Sequence, residues 1–337
     1  MPDDPRVLLS GFADEAANQK TAVQQFSVFA ALGLQYYSLR FIDVGSGVKN
    51  AMHLTVSEIQ KIRHLEDEYG LNVSSLGSPL GKVKIAEFDD GTKNAYVPFR
   101  KYLGREVKKA CALAHAFETK LIRGFSFYPP KGSNPRDYLA QAADYLGQIA
   151  EACHREDLTF GLEVEANLVG CTGEILAEIY QQVNHPAMVL IFDGANLLVQ
   201  GCSTSEVFAQ YQAMKPGLGW MHVKDYHSPQ PPGKVAHVRE DQLAHFVPAD
   251  EGDAAYERIF RDFAAILPTL EKKLRRRGIP GVFLDLEPHL KGGGQFGGFS
   301  GPDGMGVALR ALGRVLDYSG IAYHLRDFAD VKAARGF

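Results

Sequence analysis

The sequence has no uninterrupted apolar run of the roughly 18 residues that a membrane-spanning helix needs, so no helical membrane protein is expected. It opens Met1-Pro-Asp-Asp-Pro, without the basic start and apolar stretch of a secretory signal, which predicts a cytoplasmic location. Cysteine is scarce: the four residues Cys111, Cys153, Cys171 and Cys202 form no CxxC pair. That spacing argues against a disulfide framework or a thiolate zinc site and predicts reduced thiols. An excess of positive charge is also missing, since the formal net charge is −4. Neither nucleic acid nor an anionic membrane is therefore an expected partner, which leaves small molecules. No linker-like or low-complexity stretch divides the chain, so residues 1–337 read as one domain, and a hydrophobic content of 45% suffices for a large core.

What is present is alternation. Short apolar runs rich in β-branched and aromatic residues, each followed by a polar or Gly/Pro-containing loop, predict eight strands. They are Val7–Phe12, Tyr36–Arg40, Asn72–Leu76, Leu121–Phe125, Thr159–Glu163, Met188–Phe192, Gly219–Val223 and Val282–Leu286. Helix-period stripes fill the gaps at Lys20–Leu32, Val56–Tyr69, Tyr102–Phe117, Tyr138–Arg155, Glu174–Val183, Val207–Met214, Tyr256–Arg276 and Met305–Tyr318. Thr172 and Ser205 stand where helix N-caps belong. Eight strand–helix repeats favour a closed (β/α)₈ TIM barrel over an open sheet. Two loops exceed what a plain barrel requires: Tyr226 to about Asp253 after the seventh strand, and the Gly-rich stretch from Lys291 after the eighth. Both leave the C-terminal ends of strands, the face on which barrel active sites are built.

Acidic and histidine residues gather at those same ends. The fifth strand closes on Glu163-Val-Glu165, the sixth on Asp193, the seventh contains His222-Val-Lys224-Asp225, and the eighth ends Asp285-Leu-Glu287. A strand-end carboxylate taken singly is usually a cap or an ion-pair partner, and a lone histidine a hydrogen-bonded core residue. Four on consecutive strands at matching depth point instead to a shared site. Oxygen and imidazole donors with open positions suit one divalent cation, Mn²⁺, Mg²⁺, Co²⁺ or Zn²⁺. Strand parity leaves two choices open, because Glu165 faces the axis with Glu163 and Asp285 with Glu287.

The motifs Leu162-Glu163, Phe192-Asp193-Gly-Ala-Asn196, His222-Val-Lys224-Asp225 and Leu286-Glu287-Pro-His289 resemble those of the xylose isomerase-like barrel superfamily, the sugar phosphate isomerase/epimerase group. The likeness extends over nearly the whole chain. It implies that Glu163, Asp193, His222 and Glu287 bind one divalent cation, Mn²⁺ first among the candidates. It differs at the second strand, where many epimerases carry an acidic residue and this chain has Ser38 and Arg40.

A cation that polarises a carbonyl, with a carboxylate on either side, suits proton transfer at the adjacent carbon. Glu163 and Glu287 are the expected catalytic carboxylates of a sugar isomerase or epimerase. Lys82, Arg123, Tyr128, Glu165 and Lys224 are the expected substrate contacts, with Asp225 as an ion-pair neighbour for Arg123 or Lys224. Trp220, Phe12, Phe125 and Tyr128 are expected to form an apolar wall for a sugar ring. His289 would be an acid for a leaving group, which suits an alternative: a lyase acting on a 3-keto sugar or glycoside, like the C-glycoside deglycosidases that resemble this barrel group. A third reading is a metal-free sugar-binding barrel. The related endonuclease branch is rejected, because it needs extra histidines and Asn196 occupies one of their positions. The resemblance allows a homo-oligomer, or a small partner subunit in the lyase case.

Overall fold

The computed structural model describes residues 6–227, 233, 237–292 and 297–334. Eight parallel strands form the barrel: β1 (Leu8–Gly11), β2 (Tyr36–Leu39), β3 (Asn72–Leu80), β4 (Leu121–Gly124), β5 (Thr159–Glu163), β6 (Met188–Asp193), β7 (Leu218–Val223) and β8 (Phe283–Leu286). Each pairs with its neighbour in chain order, β8 returns to β1, and a bridge between Phe12 and Ser38 joins β1 to β2. The expected (β/α)₈ barrel is the observed fold. Strands β5, β6 and β7 are buried on both faces, which explains why they read as continuous apolar runs.

The intervening helices are α1 (Ala22–Ala31), α2 (Val56–Tyr69), α3 (the run from Phe99–Tyr102 through a π-turn to Lys108–Ala116), α4 (Leu139–Arg155), α5 (Gly173–Val183), α6 (Thr204–Met214), α7 (Tyr256–Arg275) and α8 (Gly301–Ser319). In α7 the residues Tyr256, Ile259, Phe260, Phe263, Leu267, Leu270 and Leu274 recur every three or four positions, and all seven are buried. Thr172 caps α5 as expected. At α6 the cap is Ser203 rather than Ser205, because only Ser203 has a glutamate three residues on, Glu206, to complete a capping box.

Two further boundaries differ. β3 runs four residues beyond the expected Leu76 to include Ser78-Pro79-Leu80, since the barrel continues to accept it: Leu80 pairs with Gly124. α8 starts at Gly301, earlier than Met305, with Pro302 in its first turn where no backbone donor is needed. Of the two long loops, the first is pinned by an antiparallel pair, Asp225–Tyr226 with Phe246–Val247. Pro229, Pro231 and Pro232 in that loop, and Gly293, Gly294, Gln295 and Phe296 in the second, lie outside the described residues.

A buried carboxylate on α2 makes stability depend on pH. Glu66 accepts from the Tyr37 hydroxyl at 2.7 Å and from Arg63 at 2.9 Å. Burial nevertheless outweighs both donors and pushes its carboxyl up to about 7. The folded state thus holds a proton that the unfolded chain has released above about pH 4.3, so stability falls as pH rises from there through 7. Glu66→Gln keeps the acceptor without the titration. Denaturant unfolding at pH 5 and pH 8 is expected to show a smaller loss for the variant, and an equal loss in both proteins would rule Glu66 out as its source.

Candidate metal centre

Four strand ends converge at the C-terminal mouth. Glu163, Asp193, His222 and Glu287 each offer a ligand atom, and these atoms all lie within 4.8 Å of one another. His222 Nδ1 stands 3.2 Å from Glu163 Oε1 and 3.9 Å from Glu287 Oε2. His222 and Asp193 are wholly enclosed, whereas Glu163 and Glu287 reach the floor of a cavity of about 430 Å³.

Cationic side chains surround the cluster. Lys224 Nζ lies 2.7 Å from Glu287 Oε2 and 3.0 Å from Asp193 Oδ2. Arg123 Nη1 is 3.3 Å from Glu163 Oε2, and Arg40 Nη1 is 2.6 Å from Glu287 Oε1. Burial works to raise Glu163, but His222 and Arg123 overcome it and hold the carboxyl at about 2. Glu287 is likewise held well below the ordinary range, where Lys224, His289 and Arg40 together outweigh its burial. Asp193 goes the other way, up to about 6, because burial and the neighbouring carboxylates exceed the help from Lys224.

The donor set fits a divalent cation on two observations. Among the described residues, Asp193 Oδ2 and His222 Nδ1 are buried and make no well-aligned hydrogen bond, only the ion-pair contacts with Lys224 at 3.0 Å and Glu163 at 3.2 Å, an expensive state for polar atoms unless something coordinates them. Charge points the same way. Six carboxylates, Asp14, Glu15, Glu163, Asp193, Asp285 and Glu287, face four fixed cations, Lys20, Arg40, Arg123 and Lys224, and the surplus of acid pushes the His222 imidazole toward its charged form, a compensation that a divalent ion would supply instead.

The two ambiguities of parity resolve by depth and partner. Glu165 lies beyond the last β5 residue and pairs with Lys82 at 3.2 Å, outside the cluster. Asp285 sits beneath the cluster, accepting from Ser38 at 3.1 Å and Ser74 at 3.3 Å, with its Oδ2 4.0 Å from His222 Nε2. At that distance it is an electrostatic neighbour of the imidazole, not a hydrogen-bond partner.

Lys82, Arg123, Tyr128, Glu165, Lys224 and His289 all line the cavity. Lys82 also stands over the Phe125 ring, 4.3 Å from its centroid. Asp225 is not the partner of Arg123 or Lys224: its Oδ1 accepts the backbone N–H groups of Tyr226 and Ala254, so it pins the following loop. Trp220 is not a cavity wall either. It is fully buried in the barrel interior and packs on Gly161, where an added Cβ would stand 2.0 Å from the indole. Phe12 lies below the floor, edge-on to His222 and under the guanidinium groups of Arg40 and Arg123.

Sequence reasoning assigned no role in the site to three contributors. Arg40 joins Asp14, Glu15 and Glu287. Glu15 also approaches His289, with its Oε1 2.7 Å from Nδ1. Asn196 donates to Glu163 Oε1 at 3.2 Å, its backbone N–H being held by Asp193. The acidic pair Asp14-Glu15, in the turn that follows β1, obeys the same strand-end rule that exposed the four candidate ligands.

A barrel whose strand ends bring three carboxylates and an imidazole within 4.8 Å of one another has a cluster at its mouth that could hold a metal ion. The chain belongs to the xylose isomerase-like TIM barrel family, whose sequence profile matches residues 26–292. Among solved structures it is similar to a xylose isomerase-like TIM barrel protein from Mycobacterium smegmatis in complex with magnesium, at 15% identity over 94% of this chain and 96% of that one, with a TM-score of 0.61. It is similar to a probable 3-DHS dehydratase from Bacillus anthracis, at 16% identity over 91% and 98%, TM-score 0.59. It is also similar to a D-allulose 3-epimerase from Methylomonas sp., at 15% over 94% and 100%, TM-score 0.57. At such identities the likeness is one of fold. No curated protein sequence matches the chain significantly.

Proposed function

We propose that the protein is a divalent-metal-dependent enzyme acting on a sugar or keto-sugar by proton transfer at the carbon next to a carbonyl, as in an isomerase or epimerase. The observation that carries this reading is the pair Glu163 and Glu287, both at the cavity floor and both kept ionised by buried cations. When bound, the cation would be held by Glu163, Asp193, His222 and Glu287 and would supply Lewis-acid polarisation of the carbonyl. Glu163 takes the α-proton on one side of the substrate, and Glu287 returns a proton on the other. Arg123 and Lys224 face the negative charge that develops on the substrate oxygens, and burial strengthens that interaction. Asn196 fixes the Glu163 carboxylate from behind.

A second reading has its own observation. His289 lies on the cavity wall with Glu15 against its Nδ1, an arrangement that would leave Nε2 to protonate a departing group. The same α-proton removal then leads to elimination from a 3-keto sugar or glycoside, a lyase reaction. The magnesium-bound neighbour and the epimerase neighbour support a metal-dependent first reading, and the dehydratase neighbour supports the second.

Incubation with ketohexoses in D₂O after loading with Mn²⁺ tests both. Solvent deuterium is expected at the α-carbon, and chelation of the metal is expected to abolish the exchange. Exchange with 3-keto glycosides alone would select the lyase, and a protein that binds none of Mn²⁺, Mg²⁺, Co²⁺ or Zn²⁺ would end both readings.

A further inference from the structure

The cavity above the metal ligands does not end at its own wall. A second hollow of about 540 Å³ adjoins it, and the two share Tyr128, Lys131, His237 and Val238 as common lining. The partition is built rather than incidental. Asn167 takes the Val238 N–H on its Oδ1 at 3.0 Å and donates its Nδ2 to the Val238 carbonyl at 3.1 Å, clamping that residue between the hollows. Asn167 holds a positive φ of 64°, a conformation that costs energy outside glycine and that the clamp offsets.

The second hollow has the chemistry of a ring subsite. Tyr128, Pro129, Pro130 and Pro135 give it flat apolar faces, with amides such as Asn94 and Gln200 and the charged Asp90 and Lys131 beside them. It is also tied to the metal centre, because Gln200 donates to the Asn196 carbonyl at 2.6 Å and to the Cys171 carbonyl at 2.9 Å. The first cavity already falls in the range of roughly 300–1,000 Å³ that holds a complete small ligand. A monosaccharide reacting at Glu163 and Glu287 therefore has no use for the second.

Accepting the main cavity as the sugar site, as proposed above, we infer that the second hollow holds a ring attached to the reacting sugar. The substrate is then a glycoside or disaccharide that carries a carbonyl in its reacting sugar, such as a keto-glycoside, rather than a free monosaccharide. The attached ring, aryl or pyranose, offers a flat face with apolar character to the prolines and Tyr128, and its polar edge meets the amides.

Two cysteines allow a test that does not read activity. Cys171 and Cys202 line the second hollow and are half-buried, whereas Cys111 and Cys153 are buried elsewhere. The metal-loaded protein is treated with iodoacetamide, and alkylation of each cysteine is followed by peptide mass spectrometry. The additions are D-glucose, 4-nitrophenyl β-D-glucopyranoside or cellobiose. At ten times its Kd a ligand leaves about one-eleventh of the sites open, so a two-ring probe is expected to slow alkylation of Cys171 or Cys202 roughly tenfold. Glucose is expected to leave it unchanged. The stronger of the two-ring probes identifies the attached ring as aryl or sugar. Protection by neither, or by no more than glucose gives, overturns the inference.

A Cys202→Phe variant, which fills the hollow, is expected to lose two-ring binding while keeping deuterium exchange on single-ring substrates. Loss of both together would overturn the separate role of the hollow. Thiol protection without deuterium exchange would sink the proton-transfer reading and leave the subsite standing. Exchange without protection would do the reverse.

Discussion

Glu287→Gln is expected to lower turnover by roughly 10³-fold or more. Loss of a positioned acid or base alone costs about 10² to 10⁴, and here the same atom set also serves as a candidate cation ligand. The neutral amide presents one oxygen where two carboxylate oxygens now meet Arg40 at 2.6 Å and Lys224 at 2.7 Å. Its NH₂ group must then face a buried cation, so metal affinity and local order fall with activity. Glu165→Gln is the control that gives the result meaning. Glu165 lies outside the cluster and pairs with Lys82, so its loss is expected to lower turnover by less than about tenfold and to leave metal content unchanged. Steady-state rates, metal content by mass spectrometry and circular dichroism on the three proteins decide the matter. Equal damage from both variants would show that the floor of the cavity has been assigned to the wrong glutamate.

The contrast between those two glutamates marks how far the sequence could be read. Period and strand parity place both on the axis side, and they do so correctly as far as β5 extends. The strand stops at Glu163, and parity carries no information beyond a strand's last residue. Asp193, His222 and Glu287 were legible because each closes or nearly closes an apolar run, where an uncompensated charge is expensive. Trp220 was misread for a related reason: a large aromatic beside a site looks like a wall, but its strand position puts it one layer below His222, over the bare backbone of Gly161. Nothing local in the sequence announces which glycine will lie opposite. Asp225 failed differently. Its neighbours in sequence are a lysine and a tyrosine, yet its oxygen is spent on two backbone donors in the loop that follows. Arg40 was visible as a departure from the pattern of related epimerases. Its three partners come from the ends of β1 and β8, and only the closed barrel brings those together.

Arg40→Met is accordingly expected to cost about 3–5 kcal/mol of stability near pH 8, the usual penalty for stripping the partner from buried charges. The guanidinium bridges Asp14 at 3.1 Å, Glu15 at 3.2 Å and Glu287 at 2.6 Å, and only 4% of its side chain is exposed. Methionine fills much of the volume over the Phe12 ring, so lost packing is the smaller part of the change. The pH dependence separates charge from packing. In the wild type, burial tends to raise Glu15 and Glu287, but the surrounding positive groups, Arg40 among them, hold both below the ordinary range. Groups depressed in this way add stability above their unfolded pKa of about 4.3 and give it up as pH falls through the folded value. Removing Arg40 lets both carboxyls rise, so the deficit of the variant is greatest at alkaline pH and shrinks as acid protonates them. Chemical denaturation of both proteins at pH 8 and pH 4, in the presence of a chelator, is expected to show that shrinkage. The same deficit at both values would assign the loss to packing. Arg40→Lys is expected to recover only part of the stability, because a single ammonium cannot reach three carboxylates in the planar fork that a guanidinium provides. Saturating the metal site is expected to reduce the deficit of Arg40→Met further, since a divalent ion beside Glu287 replaces some of the positive charge that Arg40 supplied.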